Sequence, residues 1–271
     1  MPELLEVEMY REAAERVVGR RIGGVDAPDA WYLKGGVSAR MLADVLVGSV
    51  VVAARRRGKL LMLDTDRREV LGLRFGMTGR LLVTLAATPG ATDGVTHDPV
   101  GRLEYAPAVD RPGWQRFAVG FTDGARLVLT DPRRLGGVEL NPPEARLGPE
   151  ASTVTAAELD RALADSSAPL KAVLMNQARL AGLGNLLTDE VLWRARLSPQ
   201  RPAAGLSAGE RGHLVGVIRA TVAELGTRGG SHTGDLQPAR ERGGHCPRCG
   251  VPLRRDDVGG RTTYWCPGEQ G

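Results

Sequence analysis

Near the start of the chain, apolar residues recur at roughly helical spacing: Leu4, Val7, Met9 and Tyr10, Ala13 and Ala14, then Val17 and Val18. That period predicts a helix over 3–18. Between 48 and 140 the pattern shortens. VVVAARR, KLLMLDT, EVLGLRF, GRLLVTL, RFAVGFT and ARLVLTD are brief runs of strand formers, with DTDRRE and TDG as turn signals. The Pro/Gly/Asp-rich stretch 88–113 reads as a long loop or insertion and offers no chemistry of its own. After NPPEARLGPE (141–150) the helical period returns. Ser152 or Thr153 is placed to cap a helix ending near Ala164. LKAVLMNQARL (170–180) and LLTDEVLWRAR (186–196) read as helices on either side of AGLGN. Ser207 caps the amphipathic AGERGHLVGVIRATVAELG. Residues 228–244 read as a hinge-like linker before a cysteine-bearing end. The expected organisation is α+β: a β-rich part at 1–143, a helical part at 151–227 and a small finger at 244–271, with no internal repeat.

Composition narrows the class. With 42% apolar and 25% charged residues over 271, the chain can bury a core and is not grossly disordered. No apolar run approaches the roughly 18 residues that span a bilayer. The acidic start lacks the basic and apolar regions of a secretory signal. The net charge of +4 is uneven: residues 1–160 carry 21 basic against 22 acidic side chains, and 161–271 carry 15 against 10. The surplus lies where a polyanion could dock, although a solvated surface would look the same. Only three lysines occur, Lys34, Lys59 and Lys171, in a chain whose other cations are arginines.

Four groups of residues carry candidate chemistry. Cys246 and Cys249 form C-x2-C, and Cys266 and Glu269 follow after sixteen residues as C-x2-E. This is zinc-ribbon spacing with a carboxylate in the last position, where three thiolates and a carboxylate could hold zinc. His245 competes for the fourth position, and a metal-free ribbon held by Val251, Leu253, Tyr264 and Trp265 is the alternative. At the other end, Pro2 follows a methionine whose removal would free a secondary amine. Glu3 and Glu6 share one helical face beside it, as covalent amine catalysis requires, although proline and acids also simply start helices. The AGLGN turn, with Asn185 opening a helix, could bind phosphate through backbone N–H groups, or could be only a tight turn. Finally, RRRGK, RFGMTGRL and TDPRRLGG place Lys59, Met77 and several arginines at strand ends. Met77 reads as an exposed apolar tip on a hairpin-like turn, and such a tip beside arginines could wedge into a base stack, although a buried methionine and solvated arginines would read the same.

In this order, PELLEVE, RRRGK, GMTG, DPRRLG, AGLGN and the ribbon pattern make the chain resemble the formamidopyrimidine-DNA glycosylase/endonuclease VIII family of base-excision repair enzymes. The resemblance spans residues 2–270, with 88–113 unmatched. It implies a β-sandwich lobe, a helix–two-turn–helix lobe and a zinc finger, with damaged double-stranded DNA in the cleft between lobes. It also implies a monomer in the bacterial cytosol and no membrane partner. Pro2 matches the family's nucleophile, Glu3 its acid/base residue, Glu6 a further acid and Lys59 a backbone contact at the damaged nucleotide. Asn185 and Arg261 match phosphate-binding residues, and Met77, Arg133 and Leu135 match the wedge that fills the gap left by a flipped base. The implied reaction is base removal through a Pro2 iminium, then β- and δ-elimination. Zinc would be structural.

The chain departs from the family pattern in four places. Leu5 stands where the start motif has proline, and Leu135 where the formamidopyrimidine branch has an aromatic wedge. Glu269 replaces a cysteine. The segment 230–246 is short for a loop that covers flipped 8-oxoguanine. These features lean towards oxidised pyrimidines or ring-opened lesions. A damage-binding protein with little catalysis, or a glycosylase for bulky adducts or crosslinks, stays open.

Overall fold

The computed structural model describes residues 2–86, 95–101 and 111–271. Met1 and most of the expected 88–113 insertion lie outside the described residues. The chain divides into two compact units. Pro2 and Glu6–Pro143 form the first, and Glu3–Leu5 with Glu144–Gly271 form the second.

The first unit contains most of helix α1 (Leu4–Ala14), a short helix α2 (Ala39–Leu46) and nine strands among its described residues. The strands are β1 (Ile22–Asp26), β2 (Val51–Arg57), β3 (Leu60–Thr65), β4 (Val70–Arg74), β5 (Arg80–Thr84), β6 (Thr96–His97), β7 (Gln115–Phe121), β8 (Arg126–Thr130) and β9 (Gly137–Leu140). They form two antiparallel sheets, ordered β2-β3-β4-β9 and β1-β7-β8-β5-β6. Register places Leu61 opposite Leu73 and Leu73 opposite Val138 in the first sheet. In the second it places Val83 and Val119 on either side of Leu127. All six are buried in one core with Val7, Tyr10, Ala14 and Val17 of the α1 segment, so the two sheets and the helix share an interior. That shared core is why alternation is imperfect: β3 buries Leu60 through Leu63 on both faces.

The six predicted strand runs are all present. The segment 21–47, for which the hydrophobic pattern predicts no element, contains β1 and α2. Helix α2 is only two turns long. It is fixed by Ser38, whose Oγ accepts the Met41 N–H at 3.1 Å, and by burial of Leu42 and Leu46. The predicted N-terminal helix ends at Ala14 and passes into a single 3₁₀ turn, Glu15–Val17.

The second unit holds helices α3 (Ala156–Leu163), α4 (Leu170–Leu174), α5 (Asn185–Ala195) and α6 (Ala208–Thr227), and a hairpin of β10 (Arg254–Asp257) and β11 (Thr262–Trp265). Leu4 and Leu5 join its core with Leu159, Leu187, Val191 and Ile218, so the leucine that replaces the usual proline is buried.

Three expectations change here. Helix α3 is capped by Thr155, not Ser152 or Thr153, because Thr155 alone can close a capping box with Glu158 three residues on. Helix α4 stops at Leu174 and does not run to 180. Asn176 accepts the Ala178 N–H, and Gln177 donates to the Met175 and Leu183 carbonyls while accepting the Gly182 N–H, so side chains replace the helical ladder. The expected linker is tied down: the buried Glu190 carboxylate of α5 accepts the N–H groups of Asp235 (3.0 Å) and Leu236 (2.9 Å), and Leu236 is fully buried. No helix among the described residues is long and apolar enough to cross a membrane.

Candidate functional site

In the first unit, Pro2 is buried and Glu6 nearly so. Lys59 is half-buried on the two-residue turn between β2 and β3, where Gly58 takes φ +55°. Arg56 ties that turn to the N-terminal helix. Its Nε donates to Glu8 of α1 at 2.7 Å and its Nη1 to the Gly58 carbonyl at 2.9 Å. Burial alone would raise the Glu8 carboxyl, but Arg56 and Arg11 outweigh it and hold it below its ordinary value.

Met77, Arg133 and Leu135 are brought together by two touching loops. Gly76 has φ +57°, and any side chain there would collide with the Leu135–Gly136 backbone. The turn bearing Met77 therefore packs directly on the loop bearing Leu135. It is not the hairpin turn expected, since β4 and β5 belong to different sheets. Met77 is half-buried, whereas Arg133 is exposed and Leu135 is 50% exposed. Asp131, fully buried, holds the assembly. It accepts the Thr78 hydroxyl (2.6 Å), the Tyr32 hydroxyl (3.3 Å) and the N–H groups of Arg133 (3.1 Å), Leu135 (2.9 Å) and Gly136 (2.9 Å). The DPRRLG motif contains this aspartate, whose role is not apparent from the motif alone. The available signal was an acid opening a turn rich in glycine and arginine.

In the second unit, Glu3 is fully buried against the start of α5. Its carboxylate accepts the N–H groups of Gly184 (2.7 Å), Leu186 (2.8 Å) and Leu187 (3.2 Å). The unsatisfied donors and the positive end of the helix dipole stabilise a carboxylate there. This corrects the expectation of a free phosphate-binding helix start: these three donors are already occupied. It also explains Gly184, where a Cβ would strike the Glu3 carboxylate.

Asn185 and Arg261 are brought close. The Asn185 amide donates to the Thr262 carbonyl at 3.1 Å, one residue from Arg261, which is exposed on the turn joining β10 to β11. That turn passes through Gly259 and Gly260, both at positive φ, and Gly259 packs on Ala172 of α4. Beneath it lies a buried ionic cluster missed from sequence. Lys171 donates to Asp189 (2.6 Å) and the Thr263 hydroxyl (2.7 Å), and Arg240 donates to the other Asp189 oxygen (2.8 Å). Burial pulls the Lys171 ammonium below its ordinary value, against the pull of Asp189. The scarcity of lysine was the usable signal.

The sulfurs of Cys246, Cys249 and Cys266 lie within 4.8 Å of one another. The Trp193 indole donates to Cys246 Sγ at 3.3 Å, and Trp193, Leu236, Cys246 and Cys266 form a small core. The finger is thus held partly by residues outside it. Glu269 does not join the thiols. Its carboxylate pairs with Arg248 (3.2 Å), in the first knuckle, and with Arg196 (3.3 Å) after α5. Two guanidinium groups lie against one oxygen, Oε2, of the carboxylate that the spacing assigned to metal. His245 is exposed and outside the group.

Residues 1–138 match the formamidopyrimidine-DNA glycosylase N-terminal domain, and residues 147–235 match the H2TH domain of the same enzymes. The chain is 34% identical to a formamidopyrimidine-DNA glycosylase of Paracoccus denitrificans, covering 98% of this chain and 99% of that one. It is 32% identical to one from Salinispora arenicola, over 98% and 95%. Among solved structures it resembles Lactococcus lactis FPG in complex with a FAPY-dG containing DNA (TM-score 0.80, 26% identity, 99% of each chain). It also resembles the LlFpg protein with a THF-DNA and an inhibitor (TM-score 0.81, 26% identity, all of each chain). The chain belongs to the formamidopyrimidine-DNA glycosylase family and is a DNA glycosylase.

Proposed function

We propose that this glycosylase removes ring-opened purine lesions from duplex DNA through the amine of Pro2 and then cleaves the strand as a lyase. The observation that carries this reading is the fixation of Glu3. The residue after Pro2 is buried and held by three N–H groups, so the chain start is a built element and not a free tail. A nucleophile needs that kind of positioning.

In the proposed reaction the lesion leaves the stack, since C1′ is otherwise shielded. The Pro2 nitrogen lone pair forms a bond to C1′. The C1′–base bond and the C1′–O4′ bond break, each electron pair leaving with its nitrogen or oxygen. The amine's own proton and one handed over through the Glu3 carboxyl end on the departing base and on O4′. The resulting iminium acidifies the C2′ hydrogen. Loss of that proton breaks C3′–O3′ and frees one phosphate, and loss of the C4′ proton then breaks C5′–O5′ and frees the other phosphate. Lys59, Asn185 and Arg261 grip backbone phosphates, and Met77, Arg133 and Leu135 fill the vacated stack.

The ring-opened preference draws on the relatives' names and on the FAPY-dG complex of the Lactococcus protein. A second reading, oxidised pyrimidines, draws on the segment after α6. That segment is short and pinned by Glu190, which leaves little chain to cover a bulky purine.

The clustered thiols suit zinc: three soft donors converge, and neighbouring sulfurs can ionise together only with a cation among them. Zinc there would close the finger that presents Arg261. Purified protein should contain about one zinc per chain. Glu269→Cys should slow its loss to chelator, and Cys249→Ser should hasten it. Glu269→Ala should leave the zinc content unchanged, because that carboxylate serves Arg248 and Arg196.

The deciding experiment is borohydride trapping on duplexes with ring-opened purine, oxidised pyrimidine or abasic sites. Protein with a processed N-terminus should be trapped, and protein with a verified block on Pro2 should bind yet fail to be trapped. Normal trapping of the blocked protein would move the nucleophile to a lysine such as Lys59.

A further inference from the structure

Trp31 is the most exposed large apolar side chain among the described residues, at 69%. It is not a loose loop residue. It sits in a 3₁₀ turn, Ala30–Tyr32, whose last residue is fully buried and donates its hydroxyl to Asp131. Leu33 then pairs in parallel with Val138, and the Lys34 N–H donates to the Val138 carbonyl at 2.8 Å. The indole is therefore mounted on a rigid segment beside the loop that carries Arg133 and Leu135. The ammonium of Lys34 lies 5.0 Å from the indole centroid and donates to the Trp31 carbonyl at 2.8 Å.

Beside the indole is an open depression of about 700 Å³, lined in part by Asp29, Gln115, Arg116 and Arg134. Arg134 reaches it because its backbone takes φ +57°. Its guanidinium grips Asp29 through two bonds, at 2.7 and 2.6 Å. Arg116 adds a third contact to Asp29 at 3.5 Å. Gln115 is held by Asp26 at 2.6 Å. Lys34, Arg116, Arg134 and the exposed Arg133 thus outnumber the two aspartates, and both aspartates are occupied.

We infer that Trp31 and its cationic rim form a stacking subsite for an unstacked nucleotide of the bound DNA, next to the wedge loop. An exposed indole offers a face on which any base can stack, and ammonium and guanidinium groups beside it match the attached phosphate. A base inside an intact duplex cannot present its face, so the subsite selects DNA that is locally unpaired. Its place follows from Arg134, which lines the depression and stands between Arg133 and Leu135. The inference rests on the DNA-binding reading above, but it assigns residues and a ligand class that the base-excision chemistry does not use.

The test is fluorescence anisotropy with a labelled single-stranded oligonucleotide and the same sequence fully paired. Trp31→Ala should weaken single-strand binding roughly tenfold and paired binding by no more than about twofold. Trp31→Phe should recover most of the loss. Lys34→Ala should make the salt dependence of single-strand binding shallower by about 0.7 in log–log slope. Unchanged single-strand binding in Trp31→Ala, or an equal loss for both DNAs, would overturn the subsite. The glycosylase-lyase reading is judged separately, by borohydride trapping of the wild type: failure there leaves the stacking result standing, and failure here leaves trapping untouched.

Discussion

Helices α5 and α6 both begin with backbone N–H groups held by a glutamate, but the two glutamates come from very different distances. At α6, Ser207 and Glu210 close a capping box within three residues. At α5, no side chain of the helix caps its own start, and the acceptor is Glu3, more than 180 residues earlier in the chain. The local arrangement stabilises one helix. The remote one stabilises a helix and simultaneously fixes Glu3, the residue next to Pro2, whose amine the proposed reaction needs held still. A capping interaction has thus been given to the neighbour of the residue whose position matters most for the proposed chemistry.

The largest effect should come from breaking the remote cap. Glu3→Ala leaves three buried N–H groups without an acceptor. At about 1–3 kcal/mol for each such donor, partly relieved by water, the loss should be about 3 kcal/mol or more. Ser207→Ala, at the local cap, should cost only about 1 kcal/mol. Urea unfolding followed by tryptophan fluorescence ranks the two. If Glu3→Ala proved no less stable than Ser207→Ala, the three hydrogen bonds at α5 would not be the grip described.

The same contrast explains what the sequence revealed. Ser207 before an amphipathic run announces α6, and strand runs such as KLLMLDT announce β3, because the deciding residues are neighbours. AGLGN is a conspicuous turn, but nothing near it says that three N–H groups there are already taken by residue 3, which leaves the Asn185 side chain to carry the proposed phosphate contact. The arginine partners of Glu269 are hidden for a related reason. Ligand spacing is local, whereas Arg196, which helps hold its carboxylate, lies more than 70 residues away. Asp131 falls between these cases. It is local to the loop it holds, yet two of its five donors, on Tyr32 and Thr78, come from distant segments.

Asp131 extends the comparison to a loop, with a smaller expected effect. Asp131→Asn keeps the shape but turns an amide group towards hydrogen-bond donors, for an expected loss of about 2 kcal/mol. Because Gly76 packs on the Leu135 backbone, the loops bearing Met77 and Leu135 should shift together. Excision of a paired lesion should then fall roughly tenfold more than cleavage at a preformed abasic site, where less base extrusion is needed. Equal losses on the two substrates would reduce Asp131 to a stabiliser of the β unit.

The smallest effect concerns the local cap itself and its charge. Arg201, then the backbone and hydroxyl of Ser207, hold the solvent-facing Glu210 carboxyl down at about 2, against an ordinary value of 4.5. A carboxyl depressed in the folded state contributes stability that is fully present above its unfolded value. That contribution is lost as pH falls through the folded one. The window here therefore runs from about pH 4.5 down to about pH 2. Wild type should be slightly more stable than Glu210→Gln at pH 6, and the gap should close as pH approaches 2. Salt should narrow it as well, since the pair with Arg201 is open to solvent. Glu3 differs in environment, being fully buried, so the gap between Glu3→Ala and wild type should resist 1 M salt at pH 6. Paired urea titrations at pH 6 and pH 2.5, with and without salt, separate the two caps. A Glu210 gap that persists unchanged at pH 2.5 would mean that side-chain shape, not charge, caps α6.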